Sequence, residues 1–105
     1  MTDASEVYIV NVTDVFGNEV KLTKTRWDGH ITKEHPEIWG QIRKVETTIM
    51  HPNIIIEKPD RNTYIYVTDT VSRNYFNVIT NSVIGMVRTV YLTSYLLEGD
   101  IIYRR

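Results

Sequence analysis

The sequence predicts an α+β domain: an N-terminal hairpin, one main helix, then a mainly antiparallel β-sheet. Three observations carry that expectation. Ile38, Ile42, Val45 and Ile49 recur at helical spacing between Pro36 and Pro52, so they form one apolar stripe. On both sides lie short β-branched and aromatic runs separated by turn residues, which read as strands. A length of 105 residues allows a single domain, 1–105, with one modest core.

Taken in order, residues 1–4 are expected to fray. Val7 to Val12 is β-branched and aromatic and reads as the first strand. Gly17-Asn18 marks a turn, and Glu19 to Lys24 alternates apolar with polar, as a half-buried strand does. Asp28-Gly29 should break that strand, and Thr32 could cap a short turn. Pro36, with no N–H to lose, suits the first turn of the main helix, and Glu37 complements its positive end. Pro52 ends the helix, because a residue before proline avoids the α region. Strands are then expected at Asn53–Glu57, Thr63–Val67, Tyr75–Thr80 and Met86–Tyr95, with a short last one at Ile101–Tyr103. Turn clusters such as Lys58-Pro59-Asp60-Arg61-Asn62 separate them.

Composition narrows the chemistry. The net charge of -1 argues against a generic nucleic-acid coat, though it permits a small basic pocket for one or two phosphates. With no cysteine there is neither a disulfide framework nor a thiolate ligand or nucleophile. That absence fits an intracellular, cytoplasmic protein. The acidic N-terminus lacks the features of a secretory leader, and no run approaches the roughly 18 apolar residues of a membrane span. No membrane partner is expected. The seven tyrosines, mostly in strands, suit half-buried pleated positions.

Few residues point to a reaction. Glycine-rich phosphate loops, dinucleotide fingerprints and nucleophile elbows are all missing from the sequence. His30 and His35 would lie about 140° apart on one continuous helix, a poor spacing for a shared site that a break at Pro36 would relax. Two histidines without cysteine or a helical His-x-x-x-His make a metal site a weak reading. His51 suits the helix C-terminus structurally. Strict alternation in the long strand puts Val87, Thr89, Tyr91 and Thr93 on one face and Arg88, Val90 and Leu92 on the other. The hydroxyl row is either a plain polar strand face or a ligand-binding ladder. Arg61 is either a solvated turn charge or a guanidinium aimed at phosphate.

Together these landmarks resemble the small nuclease-like domains of the barnase–EndoU–colicin–RelE (BECR) group found in phages and mobile elements. Gly17 to Thr23 resembles the family's opening hairpin. Trp27-Asp28-Gly29-His30-Ile31 with His35-Pro36-Glu37 resembles its W-x-H-I-x-x-x-H-P-E segment. Arg61 with Tyr64 resembles its R…Y hairpin. Val87 to Thr93, with Gly99 beyond, resembles its V-x-T-A-Y-x-T strand. Two features depart from the pattern: Val90 replaces a small alanine, and the chain is slightly acidic.

The resemblance implies a metal-independent, toxin-like endoribonuclease that needs no cofactor, in which the RNA 2′-OH attacks its own phosphodiester. His30 would be acid or base, with His35 as its partner. Arg61 would hold the phosphate, and Thr89 and Tyr91 would bond phosphate or ribose with Thr93 in support. Tyr64 or Trp27 could stack on a base, although Trp27 suits the core better. The expected partners are RNA (tRNA or another structured RNA) and an antitoxin or immunity protein. The alternative is an inactive binding or phage accessory protein on the same scaffold.

Overall fold

The computed structural model describes residues 6–105, so the expected fraying of 1–4 lies outside the described residues. The chain is a small α+β domain, as the sequence predicts. Seven strands form one mixed sheet: β1 (Tyr8–Thr13), β2 (Glu19–Thr23), β3 (Ile54–Glu57), β4 (Thr63–Asp69), β5 (Tyr75–Asn81), β6 (Met86–Thr93) and β7 (Asp100–Arg104). Their spatial order is β1-β2-β6-β5-β4-β3-β7. Neighbours run antiparallel except β2 and β6, which run parallel and share one register pair, Lys21 with Met86.

The helical region departs from expectation. Asp28-Gly29 does not leave an open loop after β2. The chain enters a helical run directly: α1 (Lys24–Arg26), a π turn (Trp27–Ile31) and α2 (Thr32–Glu34). Thr23, rather than Thr32, is its cap, its hydroxyl accepting the Arg26 N–H at 3.1 Å. The π turn fits one extra residue between the carbonyl of Trp27 and the N–H of Thr32, and both Trp27 and Ile31 are buried. The expected single helix from Pro36 is also split. A 3₁₀ turn (Pro36–Ile38) is separated from α3 (Ile42–Met50) by extended Trp39 and by Gly40 at φ +81. Glycine reaches that left-handed conformation without Cβ strain. The apolar stripe survives the break, because Ile38, Val45 and Ile49 are fully buried and Ile42 packs against them.

This stripe covers one sheet face, where it meets Val10, Leu22, Tyr66, Phe76, Val78, Val87 and Val90. Each fully buried aliphatic side chain contributes about 1.5–3 kcal/mol there. The other face carries a smaller cluster of Ile56, Ile65 and Val67, flanked by Tyr75, Ile79, Leu96 and Leu97. The connection from β6 to β7 supplies those two leucines and so covers part of that face.

Asp14 ties the first hairpin to the centre. Its Oδ1 accepts the N–H of Phe16 at 2.9 Å and of Asn18 at 2.8 Å, shaping the turn. Its Oδ2 accepts the Tyr66 hydroxyl at 2.6 Å in the interior. Burial, then the bond to Asp14, pushes the Tyr66 phenol far above its ordinary value of 10.0. A phenol raised in the folded state keeps its contribution below the unfolded value and loses it as the pH climbs. Stability should therefore hold up to about pH 10 and fall above it. Tyr66→Phe should cost about 1.5–3 kcal/mol at neutral pH and flatten that alkaline decline, as urea unfolding at several pH values would show.

Gly85 sits at the join of β2 and β6. Its carbonyl accepts the Lys21 N–H at 2.8 Å, its φ is +68, and an added Cβ would strike the Glu19 carbonyl. Gly85→Ala should separate the two strands at their only register pair. A melting temperature lower by several degrees, with weakened exchange protection of the Lys21 amide, is the expected result.

Candidate functional site

The helical run places two of its polar side chains beside β6: Arg26 at the start of the strand and His35 on Tyr91. Beyond Met86, β2 no longer pairs with β6, and the chain from Lys24 to Ile38 occupies that flank. His35 closes the run at φ -131, where the helix breaks before Pro36. Its imidazole stacks on the Tyr91 ring, with centroids 5.0 Å apart and planes 24° apart. The same imidazole has its Nδ1 3.6 Å from Glu37 Oε2. Burial, then the neighbouring Tyr95, raises the Tyr91 phenol above its ordinary value. Tyr91 is thus a proton donor, not a base, at neutral pH.

Thr89, Tyr91 and Thr93 pair with Ile79, Asn77 and Tyr75 and share their face, away from α3. The hydroxyl row is therefore present, with one correction. The register of β6 slips between Ile79 and Thr80, so that Arg88 is an extra, bulged residue. Val87 consequently returns to the α3 face with Val90, and Arg88 turns to the face of Thr89. Its Nη1 donates to Thr63 Oγ1 at 3.4 Å, on the side of Ile65 and Val67. Strict alternation could not anticipate this.

Other expected site residues separate. His30 is exposed on the π turn with its Nδ1 3.7 Å from Glu34 Oε2, and it does not stack on the β6 aromatics. Arg61 is exposed at φ +60 in the turn before β4, two residues from the Thr63 that Arg88 reaches, and its side chain makes no hydrogen bond to His30 or Thr89 among the described residues. Tyr64 lies on the α3 face, edge-on to Phe16 and Tyr66, so it cannot serve the face of Tyr91. Its phenol is raised by burial, then by Glu57 and Asp14. Thr93 is committed internally, accepting from Asn77 Nδ2 at 3.0 Å and donating to the Tyr95 carbonyl at 2.7 Å. Trp27 is a core residue.

Three further groups belong to this region. Asn77 is fully buried within the otherwise apolar run Tyr75–Ile79, a mismatch readable from the sequence. Its Nδ2 donates to the carbonyls of Tyr75 and Tyr91 and to Thr93 Oγ1, which fixes the amide orientation and leaves Oδ1 unpartnered. Thr89 Oγ1, diagonal to it across β5 and β6, is buried and unpartnered as well. Trp39, after the 3₁₀ turn that follows His35, is 77% exposed. No group of three or more metal-ligating side chains occurs among the described residues, and no described helix is long and apolar enough to cross a membrane.

No protein family, curated protein or solved structure matches this chain. The likeness to BECR domains rests on the sequence landmarks quoted above.

An unpartnered buried hydroxyl costs about 1–3 kcal/mol relative to an apolar group of the same shape. Thr89→Val should therefore raise stability by about 1 kcal/mol, read as a higher urea midpoint at unchanged m value. A loss of stability would mean that the hydroxyl is bonded within the fold.

Proposed function

We propose that this chain is a metal-independent endoribonuclease of the BECR kind, acting in the cytoplasm in a toxin-like setting with an antitoxin or immunity protein as partner. The observation that carries the reading is the stacking of His35 on Tyr91 beside the unpartnered Thr89 hydroxyl and the bulged Arg88. RNA brings its own nucleophile, so the protein needs a base for the 2′-OH, charge for the phosphorane and an acid for the 5′-oxygen. His35, half-exposed and held flat against Tyr91, is the acid–base group. Arg88 takes the phosphate role expected of Arg61, and Tyr91, protonated at neutral pH, donates to a phosphate or ribose oxygen. His30, further back on the helical run, is the second imidazole. Trp39 offers an exposed ring on which a base can stack, the role its buried counterpart Trp27 cannot take.

A second reading is a binding or phage accessory protein on the same fold. It is favoured by the surroundings of His30, exposed beside Glu34 Oε2, and of Arg61, exposed in the turn before β4; neither has a hydrogen bond, ion pair or ring stack with Tyr91 among the described residues.

Incubation of the pure protein with total RNA in EDTA separates the two. The nuclease reading expects fragments ending in 2′,3′-cyclic phosphate, and a 10²–10⁴-fold slower rate for His35→Ala. RNA that stays intact across a range of pH overturns it, and retention of that intact RNA on the protein supports the binding reading.

A further inference from the structure

A cleft of about 350 Å³ opens where β2 leaves β6. Its polar lining is Thr23, Arg26, Asn81 and Arg88, over Met86 and Val87. Neither arginine forms an ion pair within 4.0 Å among the described residues. The nearby carboxylates on β2 and the π turn are taken: Glu19 by Lys21 at 3.2 Å, and Asp28 by Lys24. Asp60, whose carboxyl the Asn62 N–H and Thr63 hydroxyl bonds and the Arg88 charge hold below its ordinary value, does not line the cleft.

The remaining groups are chiefly donors. Asn81 Oδ1 accepts the N–H groups of Val83 and Ile84, which leaves its amide hydrogens available. Thr23 Oγ1 accepts the Arg26 N–H and keeps its own hydrogen to give. Two guanidiniums, an amide and a hydroxyl without a carboxylate in the lining form a site for an anion with several acceptor oxygens. The planar guanidinium fork suits phosphate in particular.

We propose that this cleft binds a backbone phosphate of a single-stranded RNA, one or two nucleotides along the strand from the linkage held at Tyr91. The inference rests on the endoribonuclease reading and extends it. Arg88 and Tyr91 are three residues apart on β6, roughly 10 Å, a span that a short single strand bridges. Arg88 lines the cleft while one Nη1 hydrogen goes to Thr63 Oγ1 at 3.4 Å, and Arg26 belongs to the cleft alone. The RNA would run along the flank of β6, between that strand and the helical run, with its reacting phosphate at one end and an anchoring phosphate at the other.

The test uses a fluorescein-labelled 2′-O-methyl RNA strand of about ten nucleotides, which binds without being cut. Anisotropy is followed against salt for wild type, Arg26→Ala, Arg26→Lys and Arg26→Ala/Arg88→Ala. These side chains are exposed, and unchanged melting of each variant confirms folding. Loss of one phosphate contact should weaken binding about tenfold and reduce the salt slope by about 0.7, with Arg26→Lys recovering part of both. Equal slopes for wild type and Arg26→Ala overturn the inference. If wild type nevertheless cleaves unmodified RNA, the endoribonuclease reading stands without it. Inorganic phosphate is the second probe. Phosphate that raises the melting temperature of wild type but not of the double variant, with no binding of the strand, would make the cleft a small-anion site and overturn the RNA assignment.

Discussion

β2 parts from β6 after a single register pair, and that parting fixes the flank along which the helical run lies. After Lys21 meets Met86, the first hairpin contributes nothing more to the ladder of β6. The chain turns at Thr23 into a helical run, and Trp27 and Ile31 are drawn into the core on the α3 side. Their burial pins that run against the flank that β2 vacates. Arg26 and His35 are left beside the gap, at the start of β6 and on Tyr91. Were the chain to continue past Thr23 as a strand along β6, Tyr91 would have a strand beside it and His35 would have no ring to stack on.

That arrangement also explains why the polar groups form a row and not a deep pocket. A helical run rises about 1.5 Å per residue and a strand about 3.4 Å, so residues on the two elements match only at intervals. Arg26 meets the beginning of β6 and His35 meets Tyr91. The bulge at Arg88 adds a cation to the face of the hydroxyls, where regular alternation would have sent it into the apolar layer. An elongated ligand with repeated charge fits such a row better than a compact one.

How much of this was legible in the sequence follows from what each signal encodes. The stripe from Ile38 to Ile49 and the β-branched runs gave the helix, the strands and their inward faces, because burial imposes those periods directly. The split at Trp39 and Gly40 left the stripe in place, so periodicity could not register it. The helical run from Lys24 was hidden, since Asp28-Gly29 looks like a turn and a π turn carries no repeating pattern. Tyr64, expected by resemblance to stack on a base, packs instead on the α3 face, because tyrosine fits either side of a pleated strand. The alternation on β6 failed at one residue, and that slip concealed Arg88. Arg26 escaped attention because a cleft between sequence-distant elements leaves no local motif. Asn77 could have been found, as a lone amide in the apolar run from Tyr75 to Ile79.

Thr89 gives the last step. Its residue is half-exposed while its hydroxyl is buried without a partner, so the oxygen points inward and other atoms of the residue face out. A threonine in a strand can exchange hydroxyl and methyl by rotation about one bond. For a hydroxyl already bonded inside the fold, that rotation would sacrifice a hydrogen bond of about 1 kcal/mol. Thr93, bonded to Asn77 and to the Tyr95 carbonyl, is held in this way. Thr89 gives up no bond by turning out, and along β6 it lies between Arg88 and Tyr91. Of the three hydroxyls on this face of β6, Thr93 is therefore a strut of the sheet, whereas Thr89 and Tyr91 are free to serve a ligand.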